Sequence, residues 1–570
     1  MKINLLLATV FISLSCMAQK PRITWGDEFK LHRGSTDLEV IHADNTGVYL
    51  QEGHLALKSY FVIGATLRTS ATLIKLDKNL GEIYRNDFNK ELKGKEFVQF
   101  FNVREKLYVF ASDYAKREKT LSIYGAEINR SSGQLSGDWT FITSFQKDGK
   151  RDEINFKFSH NADSTMMIVV STIEGRDRNE YKIQEFDQSL KATTKPVIIS
   201  NEFDPKTFQL EDVLYTVSKR IVLVGRVYEF REGKKKKAKF LDFSNYNIRM
   251  YDERGKKVNE VNTNINGRWL ASTKLVQEKN KDIVLAAFYN NEKRGKTIDG
   301  MLVQRLHPLT GEVINTSEKQ ISHSLLSTQA EQTDDEDSGE SRQERKERER
   351  LDKIKDEGEA FSKYMRFRNI FYTADNGLVV LAEKYHHYTY MTQSHTGGSN
   401  GSAGTWTTTY YSVYECGDLL MCKINEGGDI SWLQVQPKSQ REVIQTGSSG
   451  GFVFSGYFDA GNRPFYAGFG ALQTGDAIQV LFNDNPKNAV VTQPGQKVKD
   501  TRRFGKSDCF ILTVNLSTGK TERKMFFSNS STPTAMPRLG SVIGDGMFIV
   551  GKEDRLLGRS KIAVAKISMK

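Results

Sequence analysis

One unit recurs along this chain at intervals of about 40 to 60 residues, and this repeat constrains the fold more than any other feature of the sequence. Each copy holds short apolar runs, one of which alternates apolar and polar residues before a turn of Asn, Asp or Gly. This run and its turn occur at 71–83, 121–133, 248–255, 301–311, 420–428 and 510–519, with a weaker copy lacking the glycine at 182–190. Such alternation before a turn is typical of a β-hairpin. The sequence therefore predicts small antiparallel sheets in series.

The number of units can be counted from the first, inner strand of each one. These strands are predicted to begin near Asp37, Glu96, Asn155, Phe208, Trp269, Met365, Tyr466 and Pro537. Short sheets repeated around an axis make a β-propeller. We therefore predict an all-β fold, an eight-bladed β-propeller, with seven blades as the alternative if the weaker units merge. A pair of smaller stacked propellers is disfavoured, because no Pro/Gly/Ser-rich linker divides the chain midway.

The two ends of the chain are predicted to share one sheet. The last unit ends at Lys570 after its third strand, and residues 22–32 have the composition of the missing fourth strand. Pairing these segments would close the ring and cover both exposed sheet edges. We therefore expect residues 19–570 to form a single propeller domain.

One segment, residues 317–363, departs from the repeat. An acidic run at 334–337 precedes a stretch of alternating charges at 342–350, and Ser341 with Glu344 forms a capping box. Few apolar residues lie in this segment, so we predict a disordered stretch and a solvated helix inserted into the propeller. A helix that docks on a protein is the alternative.

The first residues indicate export. A positive start, an apolar run from Ile3 to Leu14 and small residues before Gln19 predict a signal peptide, residues 1–18, cleaved after Ala18. No later stretch reaches the roughly 18 apolar residues of a transmembrane helix. The predicted location is the periplasm or the cell surface. The alternative is an outer-membrane lipoprotein anchored at Cys16, which Ser13 disfavours because lipoprotein motifs prefer Leu there.

The net charge of the chain limits the classes of partner that the protein would bind. The formal net charge is +12, and it falls to +11 once residues 1–18 are removed. In an exported protein this excess would face anionic glycan, lipid head groups or an acidic protein surface rather than nucleic acid. We therefore expect an envelope protein or glycan as partner and leave open peripheral association with the outer membrane. A solubilising charge without any partner is the other interpretation.

Three cysteines remain after cleavage, Cys416, Cys422 and Cys509. They allow at most one disulfide. The spacing of Cys416 and Cys422 is not typical of a zinc site, and neither has an adjacent His. We therefore interpret all three as small buried apolar residues.

Several runs of the sequence resemble a known family. They are Glu383–Tyr390, Tyr410–Tyr411, Asp418–Met421 and Leu481–Lys487, and they resemble exported β-propeller proteins of Bacteroidetes cell envelopes. The resemblance covers most of the chain after the signal peptide. It implies an envelope location and the propeller fold, and it implies neither an activity nor functional residues.

The sequence contains no catalytic or cofactor motif that we can recognise. Phosphate-binding loops, His-Glu-x-x-His pairs, Gly-x-Ser-x-Gly turns and calcium loops are all missing. We therefore predict no enzyme activity and no cofactor. His386, His387 and His395 are weak candidates for a metal site, and exposed loop histidines are the favoured interpretation because metal ligands need fixed supports.

Long connections predict where a partner binds. The longest fall at 232–244, 317–363, 385–414 and 485–506, all on one face of the predicted propeller. The candidate partner-binding residues are Tyr385, Tyr388, Tyr390, Trp406, Tyr410, Tyr411, Lys234, Lys235, Lys236 and Lys237. Tyr and Trp provide large contact areas at low entropy cost. The alternative is that the aromatic residues extend two strands as a hairpin arm and pack on each other.

These observations predict a non-enzymatic binding or scaffold module of the cell envelope, which recognises a protein or glycan partner through long loops on one face. A polysaccharide-active hydrolase or lyase is the alternative, and it would need carboxylates or a His/Tyr pair converging at the central channel. A membrane-surface adaptor with basic loops is the third interpretation.

Overall fold

The structure is a computed structural model, and it describes residues 21–569 except for 32–36, 61–63, 148, 150–151, 162–163, 176–177, 201, 233–238, 263–267, 278–281, 293–297, 322–364, 397–404, 449–462, 495, 545 and 554–560. Side chains are also outside the described part within strands at 55–60, 64–68, 230–232, 239–243, 271, 395–396, 405–406, 446–448 and 569. The predicted signal peptide with Cys16, residues Lys234–Lys237 and most of the predicted insert therefore lie outside the described residues.

The described residues form eight antiparallel sheets, numbered here in chain order. Sheet 1 contains β3 (Asp37–Asp44), β4 (Gly47–Tyr60), β5 (Gly64–Leu76) and β6 (Glu82–Asp87), and sheet 2 contains β7 (Glu96–Val103), β8 (Lys106–Ala115), β9 (Thr120–Ile128) and β10 (Thr140–Gln146). Sheet 3 contains β11 (Glu153–His160), β12 (Met167–Glu174), β13 (Asn179–Phe186) and β14 (Val197–Ser200). Sheet 4 contains β15 (Phe208–Tyr215), β16 (Ile221–Glu232), β17 (Lys239–Tyr251) and β18 (Lys257–Asn262).

The remaining sheets follow the same order of strands. Sheet 5 contains β19 (Trp269–Gln277), β20 (Ile283–Asn290), β21 (Gly300–Leu306) and β22 (Val313–Gln320), and sheet 6 contains β23 (Met365–Tyr372), β24 (Leu378–Thr396), β25 (Thr405–Ile424) and β26 (Ile430–Gln436), with β27 (Gln440–Ser448) paired to β25. Sheet 7 contains β28 (Phe469–Thr474), β29 (Ala477–Asp484), β30 (Asp508–Asn515) and β31 (Thr521–Ser528). Sheet 8 contains β32 (Thr534–Ile543), β33 (Gly546–Glu553) and β34 (Lys561–Met569), with β1 (Pro21–Trp25) and β2 (Phe29–Lys30) paired to β34.

The predicted hairpins are confirmed as the turns between third and fourth strands. In these turns Gly133, Gly255, Gly311, Gly428 and Gly519 have positive φ, between 70° and 92°. The copy without a glycine uses Leu190 at φ 59°. Its side chain is buried between sheets 2 and 3, and this packing offsets the strain of a left-handed backbone.

Both faces of the central strands are buried, and this explains the continuous apolar runs in the sequence. In β16, Ile221 and Leu223 pack toward sheet 3, whereas Val222 and Val224 pack toward sheet 5. Seven such clusters join each sheet to the next one along the chain. An eighth cluster joins sheet 8 to sheet 1. Each sheet therefore packs between two others.

The N-terminal strand completes the last sheet, as predicted. β1 pairs antiparallel with β34, and Ile23 lies opposite Ile567. Ile23 and Trp25 pack on the apolar cluster between sheets 7 and 8. The N-terminus therefore supplies the fourth strand of a sheet whose other three strands lie at the C-terminus.

Most of the segment 385–414 is paired strand rather than loop, as the hairpin alternative predicts. β24 and β25 continue through it as 19-residue and 20-residue strands, and 397–404 between them lies outside the described residues. The segment 485–506 is less regular and contains two single 3-10 turns, η1 (Pro486–Asn488) and η2 (Phe504–Lys506). Among the described residues, no helix is long and apolar enough to cross a membrane.

Candidate functional site

The long connections leave each sheet at the same end, which is the end at which the first strand of the sheet begins. This end is here called the rim. Within an antiparallel sheet, the second strand turns into the third at this end, and the fourth strand leaves from it. The connections β16–β17, β24–β25 and β29–β30 run from second to third strands, and β22–β23 joins a fourth strand to the next sheet. These four connections therefore leave their sheets at the rim, as the prediction of one loop-bearing face requires.

Sheet 6 carries a three-stranded extension at its rim end, here called the arm: residues 385–396, 405–416 and 440–448. β24 and β25 pair along their whole length, and β27 adds to β25 from Cys416 to Thr409. The rings of Tyr390 and Tyr411 stack with centroids 4.9 Å apart. The arm is therefore the hairpin that the sequence offered as the alternative.

The arm divides the predicted aromatic residues between its two faces. Successive side chains on a strand point to opposite faces, and directly paired residues share one face. Tyr385 and Tyr410 lie on one face, whereas Tyr388, Tyr390 and Tyr411 lie on the other. The side chain of Trp406 is outside the described part. The predicted aromatic residues therefore do not form a single patch.

The candidate metal histidines are also separated. His386 Nδ1 lies 3.2 Å from Glu415 Oε2. His387 is on the opposite face, where its ring stacks on Tyr414 at 4.5 Å. The side chain of His395 is outside the described part. Neighbouring residues on one strand cannot turn both rings to one ion, so His386 and His387 do not form a shared site.

Three arginines surround Tyr385 at the base of the arm, and they are here called the arginine cluster: Arg366, Arg368 and Arg538. Their guanidinium carbons lie 5.7, 4.5 and 5.5 Å from the centre of the Tyr385 ring. Arg366 and Arg368 come from β23, and Arg538 comes from β32 of sheet 8. Cation–π contact with one ring brings these like charges together.

A buried carboxylate lies behind the arginine cluster. Glu383 has no exposed surface, and its Oε1 accepts a hydrogen bond from Lys438 Nζ at 2.8 Å. Its Oε2 lies 3.3 Å from Arg368 and 3.5 Å from Arg538. Burial alone would raise the pKa of Glu383, but the three cations outweigh it and hold that pKa below its usual value.

One member of the arginine cluster, Arg368, lies at a β-bulge. In β23 the pairing shifts between Phe367 and Asn369, so that Arg368 is the extra residue of a bulge. A one-residue shift also occurs in the first strands β3, β7, β15 and β19, whereas in β32 the pairing skips four residues between Met536 and Ser541. Bulges commonly redirect side chains near functional sites.

Lys438 is held by neutral acceptors as well as by Glu383. Its Nζ also donates to Gln440 Oε1 at 2.8 Å and to the carbonyl of Cys416 at 3.2 Å. Gln440 in turn donates to the carbonyl of Asn483 at 2.6 Å. Every proton of this fully buried ammonium group therefore has an acceptor.

A second buried carboxylate, Glu442 on β27, holds the segment that leads into β28. Its two oxygens accept hydrogen bonds from the backbone N–H groups of Phe465, Tyr466 and Ala467 at 2.8 to 3.0 Å. Burial raises the pKa of Glu442 to about 7, although these hydrogen bonds oppose the shift. Both oxygens are occupied by backbone donors, so this carboxylate has a structural role.

The turn at 483–488 supports the same region. Asp484 is fully buried and lies 2.8 Å from Arg523 Nη2. Its other oxygen accepts from Asn488 Nδ2 and Thr501 Oγ1, each at 2.8 Å. These contacts fix the long connection between β29 and β30, so the Asn-Asp-Asn-Pro run has a structural reason.

Sequence reasoning missed the arginine cluster and its buried partners. Arg366 and Arg368 stand at the start of a predicted inner strand, which was a local signal. Arg538 lies 155 residues after Glu383, so only the assembled fold brings them together. Lys438 carries no pattern that would predict complete burial.

The cysteine prediction is confirmed. Cys416, Cys422 and Cys509 are buried free thiols. Burial raises the pKa values of Cys416 and Cys422 to about 12, so both stay protonated.

Comparisons with known proteins find weak likeness in fold alone. No protein-family model matches the chain, and no curated protein matches it. A protein of unknown function from Dyadobacter fermentans aligns at 7% identity and TM-score 0.29, over 74% of this chain and 96% of that one. An α-L-arabinofuranosidase from Fusarium graminearum aligns at 10% identity and TM-score 0.27, over 52% and 98%.

A third solved structure is similar to the same degree. An α-L-arabinanase from Penicillium chrysogenum aligns at 10% identity and TM-score 0.26, over 54% of this chain and 98% of that one. Identities and TM-scores this low carry no activity over to this chain.

Proposed function

We propose that this chain is an exported eight-bladed β-propeller of a Bacteroidetes cell envelope, formed by residues 19–570, and that it serves as a non-enzymatic binding module. The eight sheets and the cyclic order of their apolar clusters support the blade count. The sequence of residues 1–18 supports export, and the family resemblance supports the envelope.

The arm is the proposed docking surface for a protein or glycan partner. The observation that carries this proposal is that the arm extends beyond the four-stranded sheet and leaves apolar surface exposed. Met391 and Tyr410 face each other across β24 and β25, and they are 54% and 47% exposed. Exposed aromatic residues on a rigid support are typical of binding sites.

Variants of the arm test this function. We expect Tyr410→Ala, and separately Trp406→Ala or replacement of 397–404 by a short turn, to leave the melting temperature nearly unchanged. Capture of the partner from an envelope extract, followed by mass spectrometry, should weaken in each. Phe141→Ala is the matched control, because Phe141 is 54% exposed on β10 and far from the arm in sequence. Partner recovery equal to that of the native protein in all arm variants would refute the arm as docking surface.

The burial of the carboxylates argues for binding rather than hydrolysis. Glu383 is enclosed by three cations, and Glu442 is occupied by three backbone donors. A glycosidase would need both a free acid and a free nucleophile or base beside the sugar. Release of reducing ends from polysaccharides by the native protein, abolished in Glu383→Gln, would contradict the binding module and favour a hydrolase.

A further inference from the structure

We propose that the arginine cluster binds the carboxylate group of an acidic sugar, a uronic acid. This inference rests on the proposed function, because it names the chemistry that the rim recognises at the base of the arm.

The cluster has an excess of positive charge. Arg368, Arg538 and Lys438 contact the single buried carboxylate Glu383, and Arg366 adds a fourth positive charge beside Tyr385. The shortest contact of that carboxylate is with Lys438, at 2.8 Å, and its contacts with the two arginines are longer. Glu442 lies near Arg538 but is committed to backbone donors. The arginines therefore retain capacity for a further anion.

Hydrogen-bond donors of the cluster are unused. Within the part of the chain that the structure describes, Nη2 of Arg368 is buried without a hydrogen-bond partner. Arg366 makes no ion pair with a described carboxylate, and its contact is the ring of Tyr385. A buried donor without an acceptor is costly. A bound carboxylate would supply the missing acceptors.

The arginine side chains are at least partly exposed, whereas the carboxylate of Glu383 is fully buried. Arg366 is exposed, and the side chains of Arg368 and Arg538 are 20% and 17% exposed, whereas Glu383 is 0% exposed. A guanidinium presents two parallel N–H groups that match the two oxygens of a carboxylate. Burial, and then the charge of Arg368, lowers the pKa of Arg538, so an anion between them would relieve repulsion.

The neighbouring surface favours a sugar as the molecule to which the carboxylate belongs. Met391 and Tyr410 are exposed on the face of the arm that also carries the buried Tyr385. Met391 lies six residues after Tyr385 on β24, or about 20 Å along the strand. A tyrosine ring combines a flat apolar face with a hydroxyl group, which suits the alternating CH and OH groups of a sugar. An oligouronate could therefore reach from the cluster along the arm.

The experiment is isothermal titration of the full mature protein with oligogalacturonate, oligomannuronate and hyaluronan oligosaccharides, which all carry uronic acid carboxylates. Arg366→Gln is the test variant, since Arg366 is exposed and its loss should not affect folding, which its melting temperature checks. Arg117→Gln is the matched control, because it removes the same charge from an exposed turn between second and third strands.

We expect at least one oligouronate to bind the native protein and Arg117→Gln equally, and to bind Arg366→Gln about tenfold more weakly or worse. The neutral methyl ester of that oligouronate should not bind the native protein. Binding of the free uronic acid with the same sensitivity would assign the site to a monosaccharide, and binding of the oligomer alone would assign it to a polysaccharide; either supports the proposal.

Equal affinity of both variants would overturn the inference, as would binding of the neutral ester. A polyglutamate peptide that binds while no oligouronate does would also overturn it, in favour of an acidic protein. If Tyr410→Ala abolishes partner capture while no uronate binds, the proposed function stands and only this inference fails.

Discussion

Buried charge determines how the base of the arm is held together. Lys438 and Glu383 have no exposed surface and contact each other at 2.8 Å. Removing one partner of a buried pair leaves the other charge uncompensated and commonly costs 3 to 5 kcal/mol, roughly. The pair therefore holds β24 to the segment after β26. It also keeps Glu383 ionised behind the arginines.

Glu442 gives a residue-scale prediction about pH. Burial raises its pKa to about 7, above the ordinary value of a glutamate, so the folded state favours its protonated form. Its contribution to stability is therefore fully present below pH 4.5 and is lost as the pH rises through 7. Between pH 5 and pH 8, the native protein should lose about 2 kcal/mol more unfolding free energy than Glu442→Gln.

Urea unfolding at the two pH values measures this difference, and the comparison cancels every other titrating group. Equal losses in the two proteins would show that Glu442 does not titrate in this range.

Single residues were also the hardest to predict. The composition of the arm suggested contact residues, but their division between two faces depends on register, which the sequence alone did not supply. Arg538 reaches Glu383 across sheets, and no local pattern encodes such a contact. Cys416, Cys422 and Cys509 were predictable, because free cysteines are generally buried.

At the scale of elements, the hairpins were predictable because their signals are local. Alternation followed by Asn, Asp or Gly depends only on strand geometry and turn conformation. The arm was harder, since a Gly/Ser centre flanked by tyrosines fits both a flexible loop and a long hairpin. Pairing with β27, which is distant in the sequence, is an interaction that favours the hairpin.

Two turn glycines allow a matched prediction. Gly519 has φ 71°, and a Cβ there would lie 2.7 Å from the Trp432 ring. Gly475 has φ 53°, with nothing within 4 Å of such a Cβ. Both alanine variants should carry the cost of a left-handed backbone, about 1 kcal/mol. Gly519→Ala should cost clearly more, because Trp432 must also move.

Denaturant unfolding of the two glycine variants measures the extra cost. Similar losses of unfolding free energy would mean that the packing of Trp432 against this turn does not constrain the hairpin.

At the scale of the whole molecule, the order of the sheets was predictable and the basis of their packing was visible in the sequence. The predicted first strands begin within three residues of those observed, for example Asn155 against Glu153 and Pro537 against Thr534. Apolar runs such as 221–224 and 378–381 are continuous because the sheets on either side cover both faces of each strand.

The N-terminal strand affects the whole molecule because it joins the two ends of the chain in one sheet. β1 pairs with β34, so one sheet contains both ends of the chain. Without it, β34 would expose its hydrogen-bonding edge, and Ile23 and Trp25 would leave the cluster between sheets 7 and 8. Leu31 and Phe29 would also leave the cluster that joins sheet 8 to sheet 1.

The melting temperature and oligomeric state of the mature chain without residues 19–32, compared with the mature chain that begins at Gln19, test this account most directly. Because several kcal/mol of apolar burial and strand pairing would be lost, the shortened chain should melt well below the mature chain or aggregate. A shortened chain that stays monomeric and melts like the mature chain would contradict a ring of sheets closed by its N-terminal strand.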